Sequence, residues 1–337
     1  MYHPITFTEK IPFDKPIGFK VLQKNLVVWR SAKKIHVMED RCPHRNAKLS
    51  VGKILEDKIE CGYHGWQFQG NGNCIHVPQA KDNQRIPKSC GVKTYPSLVK
   101  NGILYTQLDA MNKFYEIASI ESFHSNEHFV TDYLLEANYD FWIQIENLLD
   151  PAHIHFVHNG FQGDSAKAKY IRMSHFKMTD HTLEAHFSHD DILVPDIYIK
   201  YYAPNVVDVS ILNKEQTVVR RNIIHVTPVE PGKCRVLFRD VAYKKYLAPT
   251  SGPFQRLLQK DFIEESYQAI NLSIVEQIMQ QDIDILESQQ VNTGTGLKSY
   301  LNTRQVLLTD SDGLIQAFRR WCKKNTKTLL LSGYSWE

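Results

Sequence analysis

The feature that most restricts this chain is a pair of short segments, Cys42-Pro43-His44 and Cys61-Gly62-Tyr63-His64-Gly65-Trp66, separated by residues 45–60. Each offers one cysteine and one histidine, and each falls in a loop between short strand-like runs. Val27-Val28-Trp29 and Ile35-His36-Val37-Met38 flank Ser31-Ala32-Lys33-Lys34 as one expected hairpin. Gln67-Phe68 and Ile75-His76-Val77 flank Gly70-Asn71-Gly72-Asn73 as a second, where Asn-Gly tolerates the positive φ of a tight turn. Ile103-Leu104-Tyr105 reads as a closing strand, and no helical period appears before about residue 110. The N-terminal third is therefore expected to be a small all-β unit.

Two cysteines and two histidines, shared between two loops, suit a [2Fe–2S] cluster with thiolates on one iron and imidazoles on the other. Neutral imidazoles lower the negative charge of such a cluster and raise its potential relative to an all-cysteine one. Zinc is the rival occupant, although finger-type zinc sites pair Cys with Cys and His with His. An incidental scatter of the four residues is the remaining alternative.

A polar stretch around Ala110–Asn126 is the expected junction, dividing the chain into 1–115 and 116–337. Beyond it the pattern predicts a helix from about Asp140, β-rich sequence from Leu183 to Tyr243, and a long helix over Phe262 to Gln290. The second part is thus α+β. Within it, Asp150-Pro151-Ala152-His153-Ile154-His155-Phe156-Val157-His158 concentrates three histidines beside an aspartate. A non-haem Fe(II) that activates O₂ is held by two histidines and one carboxylate, with positions left open. Spacing does not choose among the histidines. His155 and His158 would share a helical face, whereas His153 and His158 would need a π-type distortion, of the sort often found at functional sites. A helix end with incidental histidines is the bland reading.

The carboxylate is sought on the long helix. At about 100° per residue, Val275, Ile278, Met279, Ile285 and Leu286 gather on one face with Asp282 among them, while Asp284 points to the opposite side. A carboxylate facing a core is costly unless paired or bound to metal, so Asp282 is the third-ligand candidate and a buried salt bridge its rival role.

The chain has 40 basic and 37 acidic residues, a balance that leaves no electrostatic footprint for nucleic acid or an anionic membrane. Met1-Tyr2-His3-Pro4 opens no secretory signal, and no apolar run reaches transmembrane length, so a cytosolic, reducing setting is expected. Cys74, Cys90, Cys234 and Cys322 are scattered and are expected to be buried free thiols. Tyr198, Tyr201 and Arg220 are candidates for lining a substrate pocket or for ordinary strand positions. No Gly-x-Gly-x2-Gly fingerprint is present, so NAD(P)H is expected to bind a separate protein.

Cys-x-His…Cys-x2-His-Gly-Trp, together with Asn147-x2-Asp150-x2-His153-x4-His158, resembles the Rieske non-haem iron oxygenases, over a span from His3-Pro4 to Arg319-Arg320-Trp321. The similarity is closest to the compact, single-subunit type, a group that includes pheophorbide a oxygenase, vanillate demethylase-like enzymes and saxitoxin-pathway hydroxylases. Respiratory Rieske proteins carry two further, disulfide-forming cysteines; the equivalent positions here look like Ala47 and Tyr63, which disfavours that class. Pheophorbide a oxygenase and its plastid relatives carry a C-terminal Cys-x2-Cys where this chain has only Cys322, which counts against a chlorophyll-breakdown role.

The resemblance implies an all-β Rieske [2Fe–2S] domain followed by an α+β catalytic domain, an antiparallel sheet covered by helices. It selects Cys42, His44, Cys61 and His64 for the cluster, and His153, His158 and Asp282 for a mononuclear Fe(II). It leaves His155 out and makes Asp150 the bridge between His153 and the His64 of a neighbouring subunit in a head-to-tail homotrimer. It further implies electrons from a ferredoxin or an NAD(P)H-dependent flavin reductase, and O₂-dependent hydroxylation or demethylation of a small organic substrate. A ring dioxygenase, and a Rieske electron-transfer protein without a working mononuclear iron, are the alternatives.

Overall fold

The computed structural model describes residues 2–32, 34–108, 127–159, 165–167, 170–189, 195–246, 260–331 and 333–334. The chain separates into two compact units, Met1–Phe114 and Tyr115–Glu337. The expected junction at Ala110–Asn126, with its boundary at 115/116, lies outside the described residues.

The first unit contains three small antiparallel sheets. Strands β1 (Tyr2–Phe7), β2 (Ile17–Val21), β3 (Lys24–Arg30), β4 (Ile35–Glu39), β5 (Lys53–Leu55) and β6 (Lys58–Glu60) come first. They are followed by β7 (Gln67–Gln69), β8 (Cys74–His76), β9 (Thr94–Tyr95), β10 (Ser97–Lys100) and β11 (Ile103–Gln107). The sheet orders are β1-β11-β10, β2-β3-β4-β9 and β5-β6-β7-β8. Both expected hairpins are present, β3 pairing β4 and β7 pairing β8. Gly72 turns the second at φ +85°, and a Cβ there would stand 2.1 Å from the Val92 carbonyl oxygen, so only glycine fits. Val27, Trp29, Met38, Ile59 and Phe68 form the buried core between these sheets, and Cys42 and Cys61 are part of it.

The second unit is built on one seven-stranded antiparallel sheet. Its strands are β12 (His128–Ala137), β13 (Ile171–Met178), β14 (Thr182–His189), β15 (Asp196–Tyr202), β16 (Val206–Leu212), β17 (Val218–Glu230) and β18 (Lys233–Tyr243). The order β12-β18-β17-β16-β15-β14-β13 is a meander to which β12 adds at the far edge. Helices α1 (Phe141–Leu148), α2 (Ile154–Val157), α3 (Lys260–Thr293), α4 (Gly296–Asn302) and α5 (Gly313–Leu331) accompany it. Trp142, Tyr201, Tyr300, Phe318 and Trp321 interlock as a buried aromatic layer between sheet and helices. Tyr201 donates its hydroxyl to the Pro204 carbonyl at 2.7 Å, so it is a core residue and not a pocket wall.

Asp140 occupies the N-cap position of α1 but does not cap that helix. Its carboxylate instead accepts the Gly232 amide at 2.7 Å and the Gly296 amide at 2.5 Å, binding the β17–β18 turn and the start of α4 to one point. Asn271 does similar work for α3, donating to Thr131 Oγ1 and to Asp240 Oδ2, each at 2.9 Å. Arg220 is absorbed into that network through Asp240 and Asn271, which makes it a tie between sheet and helix.

Two expectations change. All cysteines are free, but only Cys234 and Cys322 of the scattered four are buried; Cys74 and Cys90 are half-buried, because they sit on an edge strand and a surface turn. Ile285 is 47% exposed, so the apolar stripe of α3 narrows toward its C-terminal end to Asp282 and Leu286. Among the described residues no helix is long and apolar enough to cross a membrane.

Candidate metal sites

The two cysteine loops share one backbone design. The Cys42 amide donates to the Ala47 carbonyl at 2.8 Å and the Asn46 amide to the Cys42 carbonyl at 2.9 Å. In the second loop the Cys61 amide donates to Trp66 at 2.8 Å and the Gly65 amide to Cys61 at 3.0 Å. The fourth residue after each cysteine is left-handed, Asn46 at φ +60° and Gly65 at φ +73°. Asparagine tolerates that conformation through its short polar side chain. Glycine is needed at 65, where a Cβ would also press to 3.0 Å from Pro78. Two closed loops of one kind thus present two cysteines inward and two histidines further out.

Cys42 and Cys61 are almost wholly buried. Burial, first, and then neighbouring Cys61 push the Cys42 thiol up to about 11, although the His44 and Arg45 amides oppose the shift. A cation would reverse that, since a coordinating thiol is deprotonated outright. The His44 and His64 rings lie 4.5 Å apart edge to face, and Trp66 stacks on His44 at 4.8 Å. His44 Nδ1 is buried with no hydrogen-bond partner among the described residues, the mark of a nitrogen reserved for something else. His64 is half-buried beneath Tyr63 at 3.8 Å, its pKa lowered by partial desolvation and then by His44 and Arg45.

The second site joins α2 to α3. His153, His158 and Asp282 each bring one donor atom to within 4.8 Å of the others. Asp282 Oδ1 lies 3.4 Å from His158 Nε2 and 3.7 Å from His153 Nε2. The far side of each imidazole is occupied: His153 Nδ1 meets the Asp150 carbonyl at 2.7 Å, and His158 Nδ1 meets Gln281 Oε1 at 3.1 Å. Both partners are acceptors, so each Nδ1 carries the proton and each Nε2 keeps a lone pair facing Asp282. Burial, the largest influence, lowers the pKa of His153 and so favours the neutral ring that metal binding requires.

No π-type turn is used to bring these histidines together. A single regular turn, α2, stops after Val157, and His158 leaves it at φ −101°, ψ 29°. Ending the helix swings the ring round as a distortion would have done. His155 faces elsewhere and meets His189, Nε2 to Nε2, at 3.3 Å. On α3, Asn271, Val275, Ile278, Asp282 and Leu286 form one buried face, and Asp284 is exposed. Among the described residues Asp282 has no lysine or arginine ion pair, so the salt-bridge role lacks a partner.

Sequence reasoning left out the polar chain behind Asp282. Tyr139 donates to Gln144 Oε1 at 2.7 Å, Gln144 to Asn147 Oδ1 at 3.5 Å, and Asn147 to Asp282 Oδ1 at 3.3 Å. Asn147 stood in the motif without a role, and Gln281 stood beside the candidate ligand. Asp150 accepts the Ala152 amide at 2.7 Å and keeps its Oδ2 3.9 Å from His153 Nδ1. Its carboxyl is raised to about 6, by burial first and with Asp312 adding to it.

A protein-family model described as the Rieske [2Fe-2S] domain matches residues 1–96. The chain is 29% identical to the chloroplastic protein TIC 55 of Pisum sativum, over 96% of this chain and 57% of that protein. It is 32% identical to the chloroplastic pheophorbide a oxygenase of Oryza sativa subsp. japonica, over 50% of this chain and 34% of that one. It therefore spans little more than half the length of one curated relative and a third of the other. A crystal structure of dicamba monooxygenase bound to dicamba superposes with a TM-score of 0.75 over 98% of both chains; at 19% identity that likeness concerns the fold.

Proposed function

Because this chain belongs to the Rieske non-haem iron oxygenase family, we propose that it hydroxylates or oxidatively demethylates a small organic substrate with O₂ and electrons from a separate ferredoxin or flavin reductase. In this reading Cys42, Cys61, His44 and His64 hold the [2Fe–2S] cluster, and His153, His158 and Asp282 hold one Fe(II). The observation that carries it is that the Nε2 atoms of two histidines and one carboxylate oxygen lie within 4.8 Å of one another, with each Nδ1 turned to an acceptor. Two histidines and a carboxylate are the donor set of Fe(II) oxygenases, and an iron so held, with open positions, supplies O₂ activation.

The chain's own residues do the rest. Asp150 orients His153 through its carbonyl, and Gln281 orients His158. Asn147 donates to Asp282 and fixes which carboxylate lone pair stays available. The Asp150 side chain is 27% exposed, which suits a bridge to His64 of a neighbouring subunit in a homotrimer. The four cysteines outside the cluster, Cys74, Cys90, Cys234 and Cys322, are free thiols, which suits a reducing compartment such as the cytosol.

The test is metal content and turnover in Asp282→Ala. The intact protein should hold about three irons per chain, against about two, all in the cluster, for the variant. The variant should also lose turnover while the visible spectrum of the cluster survives. Normal turnover in Asp282→Ala would refute the assignment. For the bridge, Asp150→Asn should keep both metals and slow electron transfer; an emptied mononuclear site would make Asp150 a ligand instead.

A further inference from the structure

The near balance of charge over the whole chain hides an uneven division. Met1–Phe114 carries 18 lysines and arginines against 9 aspartates and glutamates, and Tyr115–Glu337 carries 22 against 28. The first unit is therefore strongly basic and the second acidic. Part of the basic excess lies beside the proposed cluster. Arg41, Arg45 and Lys48 belong to the first cysteine loop, Lys81, Arg85 and Lys88 to the segment after the second, and all six are exposed. That segment is held to the second loop, because Gln79 Nε2 donates to the His64 carbonyl at 3.0 Å and Pro78 packs on Gly65. Arg41 pairs with Glu39 at 3.0 Å, whereas the other five cations form no ion pair among the described residues. Nearby carboxylates are engaged elsewhere: Asp40 accepts from the Ser50 hydroxyl at 2.7 Å, and Glu60 is paired with Lys53 at 3.0 Å.

Two large apolar side chains stand among these cations. Val51 is 71% exposed and Tyr63 61%, and the Tyr63 ring lies 3.8 Å from that of His64. The loops that carry them touch, since a Cβ at Gly62 would stand 2.9 Å from the Val51 carbonyl oxygen. A small apolar centre among unpaired cations suits a brief encounter better than a permanent interface between copies, whose core is larger and depleted of charge. Unpaired cations steer a partner of opposite charge and raise its association rate by about 10- to 1000-fold. Resting on the reading that these loops hold the cluster, we propose that this basic rim is the docking surface for an acidic electron-carrier protein, with Val51 and Tyr63 at its centre. In each encounter one electron leaves the carrier's reduced iron–sulfur centre and reduces the cluster of this chain; no bond forms or breaks.

The experiment uses the cluster-loaded full chain and an acidic plant-type [2Fe–2S] ferredoxin, whose potential lies below that of a Rieske centre. Binding of the oxidised ferredoxin is measured by calorimetry, and the rate of cluster reduction by the reduced form in stopped flow. Both affinity and second-order rate should fall about tenfold or more from low to high salt. The triple variant Lys48→Glu, Arg85→Glu, Lys88→Glu should lower both by about tenfold at low salt and flatten the salt dependence. Reversing the exposed Lys214, Lys298 and Lys323 of the second unit to Glu makes an equal change in net charge and should alter neither by more than about twofold. Reduction by the methyl viologen radical cation, which a basic rim repels, should not slow in the first variant, and the visible absorption of the cluster reports intact loops. The salt dependence of the unsubstituted protein decides the matter even where a variant folds poorly. Binding that is indifferent to salt or strengthened by it, or equal losses in the two triple variants, would overturn the proposal. So would a changed oligomeric state in the first variant with ferredoxin binding unaltered, which would make the rim an interface between copies. A loaded chain without cluster absorption would instead refute the cluster reading, and the docking with it.

Discussion

The loops proposed to hold the cluster and the proposed His153–His158–Asp282 iron site place their candidate donors by opposite means. In the loops the backbone does the positioning. Two similar rings of amide–carbonyl bonds, each with a left-handed residue at its fourth place after cysteine, hold the donors within a few residues of one another. In the second site the donors come from two helices, and neighbouring side chains aim them: Gln281 behind His158, and Asn147, Gln144 and Tyr139 behind Asp282. A backbone-built site is vulnerable to changes in local conformation. A side-chain-built site is vulnerable to loss of partners that never touch the metal.

The sharpest way to break this contrast is to remove one donor from each site. Cys61→Ala should abolish the cluster's visible absorption and Asp282→Ala the mononuclear iron, each leaving the other metal bound and each lowering turnover by roughly a thousandfold or more, the scale of losing a catalytic group outright. Loss of both metals in either variant, by iron analysis and absorption, would mean that the sites depend on each other for folding.

Next in size are the aiming residues. Gln281→Ala and Asn147→Ala should each weaken mononuclear iron binding by about 10- to 100-fold, as loss of a ligand's hydrogen-bond partner does. Chelator competition measures this, and unchanged affinity would show that the helices alone place the donors. The matching change in the loops is Gly65→Ala, which forces a side chain into φ +73° and against Pro78. It should cost about 1–3 kcal/mol of local stability and speed cluster loss, with mononuclear iron untouched.

The most gradual effect, spread over several pH units, separates the two units of the chain. His225, on β17, has its pKa lowered to about 3 by burial and, secondarily, by Arg239. Its folded value lies below the unfolded one of about 6.5, so the unfolded state binds more protons between them. Stability of the second unit should therefore fall as pH drops from about 6.5 toward 3, by at most about 1.4 kcal/mol per unit from this group. His225→Asn should flatten that slope in denaturant titrations, and an unchanged slope would assign the acid sensitivity to other groups.

Legibility follows the same division. The four proposed cluster ligands stand out in the sequence because both pairs lie within single turns, where spacing and geometry nearly coincide. Asp282 was separable from Asp284 because a helix has a fixed period and one side of it faces a core. Ile285 was misjudged by the same rule, because the rule does not say how wide the covered stripe is. The choice between His153 and His155 was beyond spacing, since it depends on where α2 stops, and the turn found there was not the distorted one that spacing suggested.

By itself, then, the order of residues determined the hairpins, the donor pairs carried on their loops and the inward phase of α3, all of which rest on interactions between near neighbours. Only the tertiary structure decided that α2 ends at Val157 and that Gln281 and Asn147 stand behind the triad. These depend on segments far apart in the chain packing against one another, and local periodicity carries no record of which segments those will be.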